Sequence, residues 1–558
     1  MAPQRDPTQR KVSRVPMYYF LNNTSNYLAS GIEHAEYQRL RLFKKHHTPA
    51  KIVTKTYQLN AADHLRANGV QPEDCINMID YFCDNLDLTP QVLTIRDVTQ
   101  NSPFRVVKDG EIYRCYDQQR ELQRVWTKHN KLVAVDHFDG DHQQVRSDFY
   151  DSRGFKAKSA FYATADDAQA RRLTLEQYYA VNGRIGYEIS YRQRQGGVVA
   201  VNHRIQLANG QTWSVLNSAH AFTIFLDCLN MANGGENVFI SDRSNVTNQP
   251  MIAMQTPAIK IEHFHNIHFA NYRDPMNSAL TYASISETER LAKTNLIITP
   301  TVTQADDMRM RLKTKVPITN VPVGYVPAAR LSMPRRSMSD QRRIKGKVIA
   351  IARLDAQKNL AEAILAFEAA HTQLPWLTFD IYGYADSGSG EEQKLRQLVH
   401  ANKLEDCVRF MGYTEDMQSV YQSAQLLLMT SRHEGAPLSL VEAASYGVPQ
   451  LAYDCFYGPA YIIANGQSGY LVNYGDRAQL TARIVTIMQD TQLLQRLSDG
   501  AYQRAKDFSE DAVWQQWQDK VINNDQLKQL PPDPEQVAQV KARVTFGKID
   551  FVTPKSGA

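Results

Sequence analysis

The stretch whose reading decides the fold is Glu434–Pro449, EGAPLSLVEAASYGVP. It follows LLLMTS at 426–431, a short apolar run of the kind that forms a strand buried on both faces. Gly435 and Pro437 end that strand and prepare a helix start. Glu442 then lies inside a helix, which Gly447 closes before Pro449. Strand, turn and helix in this order make one step of a doubly wound sheet. The N-terminus of such a helix offers unpaired N–H groups and the positive end of its dipole to an anion such as a diphosphate. Gly435 would let the backbone approach a ligand closely. An isolated E-x7-E is more often a pair of solvated charges, so the weight of Glu434 and Glu442 depends on their setting and on what lies upstream.

Upstream stands IARLDAQKNL at 351–360. Arg353 and Lys358 follow the apolar run KVIAIARL, at the carboxyl end of a strand, where ligands bind in open α/β sheets. Two cations there can hold a diphosphate and stabilise charge as it leaves. The plainer alternative is two surface cations near a helix start, a place that normally favours acids. With those cations nearby, Glu434 can accept bonds from sugar hydroxyls and Glu442 from ribose hydroxyls. LTFDIYGY, VRFMGY, PQLAYD and GYLVNYG supply further strands, and NLAEAILAFEAAH a helix, so 348–523 reads as a parallel α/β lobe. Tyr457, in the Tyr-Gly-Pro turn after LAYD, is expected to line its cleft. The preceding segment 334–347, PRRSMSDQRRIKGK, is basic and has no apolar period. It reads as a linker, either a solvated tether or an attractor of polyanions.

The N-terminal part has its own α/β rhythm. MYYFLN, a polar loop, GIEHAEYQRLRLFKKH and AKIVTKTY give a β-α-β start over 17–88. The rhythm resumes over 216–333 with AHAFTIFLDCLN, NVFISD, KIEHFHNIHF and LIITPT. Between them, 89–215 carries alternating runs separated by DG and GG turns: QVLTIRDVT, FRVVKDGEIYRCYD, KLVAVDHFDGD, QVRSDFYDSRGFKAKSAFY and IGYEISYR. This predicts an inserted antiparallel meander, whose edges invite pairing with a second copy or a partner chain. Residues 524–558 read as a tail, with one strand at ARVTFGKIDF (542–551).

Composition limits the function. A chain of 558 residues with 43% hydrophobic and 22% charged residues is an ordinary globular enzyme of several domains. A net charge of +5 is too mild for a dedicated nucleic-acid binder, although local basic patches can still meet an anionic substrate. None of the six cysteines forms a C-x-x-C pair, which suits reduced thiols. The run Met17–Leu21 is too short for a signal-peptide core, and no stretch reaches the roughly 20 apolar residues of a membrane span. The expected location is the cytoplasm; RLRLFKKHH at 39–47 either packs its apolar face on the first sheet, the plainer reading, or lies peripherally on anionic lipid at the inner face of the membrane.

Arg353-x4-Lys358, FDIYG, MGY at 411–413 and EGAPLSLVE together resemble the retaining GT-B glycosyltransferases of family four. ASGIEHAE, the meander with FYDSRGF, and H-x-x-H at 265–268 narrow the resemblance to a Gram-positive branch. That branch holds teichoic acid α-glycosyltransferases and the accessory-secretion-system glycosyltransferases that act on serine-rich adhesins. The resemblance implies a GT-B fold of two Rossmann-like lobes with the meander inserted in the first. It implies a UDP-sugar as donor, no cofactor and no metal, and an anionic cell-wall polymer or a serine-rich protein as acceptor. It implies that Arg353 and Lys358 bind the diphosphate, Glu434 the donor sugar and Glu442 the ribose. Gly31 would face the phosphates and acceptor, where relatives often carry two adjacent glycines and this chain has Ser30-Gly31. His265 or His268 would face the transferred sugar. As residues alone, the histidines of EHFHNIHF remain open between active-site hydrogen bonding, packing and a metal that lacks a clear carboxylate partner beyond Glu262. DHFDGDH at 136–142 reads as a turn between strands.

Overall fold

The computed structural model describes residues 15–26, 29–164, 171–195, 197–386 and 388–528. The strand expected at 542–551 lies outside them. Internal contacts divide the chain into two compact units. One holds the described residues up to Glu33 and Phe43–Lys260, the other His34–Leu42 and residues 261–528.

In the first unit, Tyr18–Asn22 lies between the parallel strands Val238–Ser241 and Ala50–Thr54, with Cys75–Asn77 beyond the latter. Tyr19, Leu21 and Val53 from these strands share a core with Phe222 and Phe225 of the helix Ser218–Ala232 and with Phe82. The inserted region forms a ten-stranded antiparallel sheet from Arg105 to Val215, each strand paired to the next in sequence. This is the expected meander, with one correction. QVLTIRDVT is not a strand: Ile95–Thr99 is a short helix, because the Asp97 carboxylate reaches back to the N–H of Thr94 at 2.6 Å and to its hydroxyl at 3.0 Å.

The FYDSRGF element ties the meander to the helix Met78–Cys83. Arg153 bonds Asp80 at 2.8 Å, Asp151 at 2.8 Å and the Asn85 carbonyl at 3.1 Å. Tyr57 donates to the same Asp151 at 2.5 Å. Gly154 has φ +90°, and a Cβ there would lie 2.1 Å from the Gln91 carbonyl oxygen. A motif that carried only a resemblance is thus a buried charge cluster with a structural task.

The second unit contains two parallel sheets. In the smaller, Ile261–His263 pairs with Leu296–Ile298, and the strand Leu296–Thr299 pairs with Ile318–Asn320. The larger has six strands in the order Val408–Gly412, Thr378–Tyr382, Lys347–Ile351, Leu426–Met429, Gln450–Asp454 and Gly469–Asn473. Aliphatic and aromatic side chains cover both faces of this sheet, which explains the unbroken apolar runs in the sequence.

Segment 334–347 is more than a tether. The Arg343 guanidinium is buried and donates to the carbonyls of Tyr421, Ala424 and Tyr446 at 2.6–2.8 Å. Arg336 pairs with Asp340 at 3.1 Å, and Lys347, already in a strand, pairs with Asp380 at 3.1 Å. Much of the segment's positive charge is therefore spent on the fold.

Candidate active site

The two strongest sequence signals meet. Lys358 Nζ lies 2.7 Å from Glu434 Oε1, and the Ser431 hydroxyl donates to the same oxygen at 2.6 Å. Backbone bonds fix the turn: Glu434 N–H donates to the Phe456 carbonyl at 2.7 Å, and Tyr457 N–H donates to the Glu434 carbonyl at 2.6 Å. The carboxylate is buried at the start of the helix Leu438–Ser445, which begins after Pro437 with no side-chain cap. Leu440 N–H already donates to the Pro437 carbonyl at 3.1 Å, and the N–H groups before it stand at the positive end of the helix dipole, where an anion can meet them. Arg353 stands half-exposed at the end of its strand, held by Asp355 at 2.9 Å and Asp386 at 3.3 Å. The arrangement combines cations, a helix end and a carboxylate, which suits a diphosphate with an attached sugar.

Gly435 has a reason in the protein's own packing. A Cβ there would lie 2.2 Å from the His265 carbonyl oxygen, so the glycine lets two backbone segments touch. Asn266 locks the same contact, accepting from Gln304 through its carbonyl at 2.9 Å and bonding His433 through its side chain at 3.1 Å.

The structure separates the two histidines of H-x-x-H. His268 is fully buried, neither ring nitrogen has a hydrogen-bond partner among the described residues, and the ring lies parallel to Tyr457 at 6.1 Å. Burial, with Arg311 nearby, pulls its pKa down to about 4. His265 is only half-buried. Tyr457 is itself buried, and its hydroxyl donates to Asp307 at 2.8 Å, so it acts as a strut under the Glu434 turn.

Glu442 accepts from the Tyr421 hydroxyl at 2.7 Å, and burial raises its pKa. Gly31 is the first residue of the helix Gly31–Lys45, and a Cβ there would meet nothing within 4 Å among the described residues. Beside it, Glu33 accepts from Ser30 N–H and Arg243, each at 2.7 Å. Burial pushes the Glu33 carboxyl up, but Arg243 and Ser30 outweigh it and hold it below the usual range. This trio was missed, although Ser30-x-x-Glu33 has the spacing of a capping box. In DHFDGDH, Asp139 accepts the N–H groups of Asp141 and Gln143, as the turn reading requires.

A second group beside Glu434 was also missed. The rings of Tyr272 and Tyr474 lie 5.6 Å apart, and the Arg273 guanidinium sits 5.6 Å from each. Tyr272 is 6.1 Å from the His433 ring, and Arg432 donates its N–H to the Gln357 carbonyl at 2.8 Å. These residues come from loops distant in sequence, so no local spacing signals them.

Residues 338–504 match the family model for glycosyl transferases group 1. The UDP-N-acetylglucosamine–peptide N-acetylglucosaminyltransferase GtfA subunit of Streptococcus gordonii is 25% identical over 523 residues, which is 89% of this chain and 97% of that protein. The poly(glycerol-phosphate) alpha-glucosyltransferase of Bacillus subtilis is 33% identical over 174 residues, which is 31% of this chain and 25% of that protein. The crystal structure of the pneumococcal O-GlcNAc transferase GtfA with UDP and GlcNAc aligns with a TM-score of 0.76 at 22% identity, covering 91% of this chain and 98% of that one. The chain has the GT-B fold of glycosyltransferases, and its second lobe carries a group 1 glycosyl transferase domain.

Proposed function

We propose that this chain transfers glucose or N-acetylglucosamine from a UDP-sugar, with retention of configuration, to a poly(glycerol or ribitol phosphate) wall polymer. The observation that carries the transferase reading is the Lys358–Glu434 pair at the uncapped start of helix Leu438–Ser445. Lys358, Arg353 and the helix N–H groups neutralise the diphosphate as it leaves. Glu434 orients the donor sugar, and His265, the less buried of the two histidines, faces it. Glu442 lies further along the same helix for the ribose. The cations supply the charge that a divalent ion would otherwise bring, so the reaction runs without metal. The leaving phosphate takes the acceptor's proton on the front face, and no enzymic nucleophile is required. No helix among the described residues is long and apolar enough to cross a membrane, and on this reading the enzyme works in the cytoplasm, at the inner membrane face.

The stretch 33% identical to a poly(glycerol-phosphate) glucosyltransferase supports the polymer acceptor. A second reading, transfer to serine or threonine of a cell-surface protein, is supported by similarity that runs along 97% of a peptide N-acetylglucosaminyltransferase subunit. Both share the donor chemistry. The test is a matrix of UDP-glucose and UDP-N-acetylglucosamine against poly(glycerol phosphate), poly(ribitol phosphate) and a serine-rich peptide, with the anomer of the product read by NMR. Glycosylated polymer with an α-linkage supports the first reading. Efficient use of the peptide alone replaces it with the second, and absence of any transfer or donor hydrolysis removes the enzyme reading.

A further inference from the structure

The sequence leaves the segment 334–347 open as a solvated tether or an attractor of an anionic acceptor, but Arg343, Arg336 and Lys347 there are engaged by carbonyls and carboxylates of the fold. Arg273 and Arg432 are different. Both are exposed, and neither has a carboxylate partner among the described residues. Arg273 is held from below, its guanidinium lying over both tyrosine rings, a contact that orients the group and leaves its outer N–H donors available. Arg432 is two residues before Glu434. His433, between them, packs against Tyr272 and is fixed by Asn266, so the patch is rigidly joined to the turn that carries the Glu434 carboxylate.

The local field agrees. The Tyr272 hydroxyl has a lowered pKa, because Tyr474 donates to it and Arg273 and Arg432 lie close by. Carboxylates of this region are occupied elsewhere: Glu362 by Arg477 and Tyr453, Glu434 by Lys358, Asp355 by Arg353, and Asp274 by the backbone and side chain of Asn277. One guanidinium on an aromatic seat and a second close to the same tyrosines, neither paired with a carboxylate among the described residues, stand beside the residue assigned to the donor sugar and are complementary to a phosphodiester.

We infer that Arg273, seated on Tyr272 and Tyr474, and Arg432, beside the Glu434 turn, form a phosphate subsite that grips a phosphodiester of the acceptor polymer next to the transferred sugar. This rests on the polymer reading of the acceptor. A phosphate can also come from the donor diphosphate, so the test must separate the two sources. Steady-state kinetics of R273Q, R432Q and the double variant are measured with poly(glycerol phosphate) and the UDP-sugar that serves the parent, at low and at high salt. The expected result is a KM for the polymer raised about tenfold in each single variant and more in the double, with a much smaller change in the KM for the UDP-sugar. The parent's polymer KM rises with salt, and that dependence weakens in the variants as the screened pair is lost. R273K and R432K, which keep the charge without the planar fork, recover part of the affinity. Thermal melting identifies any variant that is not folded, and the Lys variants then stand in for it. An equal rise in both KM values assigns the arginines to the donor diphosphate and overturns the inference. Unchanged polymer KM and salt dependence overturn it as well, while leaving the polymer reading intact. If the polymer is not an acceptor for the parent, the reading of the acceptor has failed first, and the subsite falls with it.

Discussion

Lys358 Nζ and Glu434 Oε1 stand 2.7 Å apart although 76 positions separate them in sequence, and both are placed by the carboxyl ends of neighbouring strands. An ion pair on this spot is poised to open when a diphosphate takes the lysine and a sugar hydroxyl takes the carboxylate. E434Q should lower turnover about a hundredfold, the scale of one lost transition-state contact. K358M should lower it too, and the double variant should be little worse than the poorer single, because the two act as a unit. Turnover and melting temperature are read together. A folded E434Q with near-parental turnover removes Glu434 from the site.

Gly435 is needed by the protein's own packing. G435A places a methyl 2.2 Å from the His265 carbonyl oxygen and must push the Glu434 turn away from the 265–266 segment. The expected outcome is a loss of at least tenfold in kcat/KM with a lower melting temperature. G31A, where the added methyl meets nothing within 4 Å among the described residues, should leave the melting temperature unchanged. Equal stability of G435A and the parent would show that the two segments do not touch.

Arg153 holds Asp80 and Asp151 inside the first unit, where burial raises the Asp80 pKa to about 6 against the pull of the arginine. R153A leaves these carboxylates without their cation and should cost about 3–5 kcal/mol of stability. Chemical denaturation measures it. A change below about 1 kcal/mol would show that the cluster does not anchor the meander.

His268 and His203 are both kept neutral by burial, each with a pKa near 4, and Lys55 adds to the effect at His203. Their folded pKa lies below the unfolded value, so between pH 6.5 and 4 the unfolded chain binds protons that the folded chain refuses. Stability should be flat in these groups above pH 6.5, fall as pH drops through that window, and level off below 4. H268F, which keeps an aromatic ring beside Tyr457, should reduce the slope by ~1.4 kcal/mol per pH unit relative to the parent. Urea midpoints between pH 4 and 7 test this, and parallel curves for parent and variant would contradict it.

Transfer should continue in excess EDTA, since Arg353, Lys358 and the helix start near Glu434 carry positive charge into the cleft. Donor consumption is followed with EDTA and after adding magnesium or manganese. Complete loss in EDTA, restored by the metal, would reveal a required ion.

The sequence by itself determined the elements that local chemistry dictates. Apolar runs such as LLLMTS and KVIAIARL became buried parallel strands, alternating runs between DG and GG turns became the meander, and EGAPLSLVE became a strand–turn–helix step with Glu434 at its mouth. Residues 91–99 were the exception, because a single bond from Asp97 back to Thr94 turned the end of an alternating run into a helix. Only the tertiary structure decided which charges are spent and which remain available. Spacing cannot show that Arg343 is consumed by three carbonyls, that Gly435 serves the His265 backbone, or that His268 is sealed while His265 is not. Nor can it bring Arg273 and Arg432 to one tyrosine pair. Secondary structure follows from neighbours three or four residues away, whereas the state of a charge depends on whatever the fold packs against it.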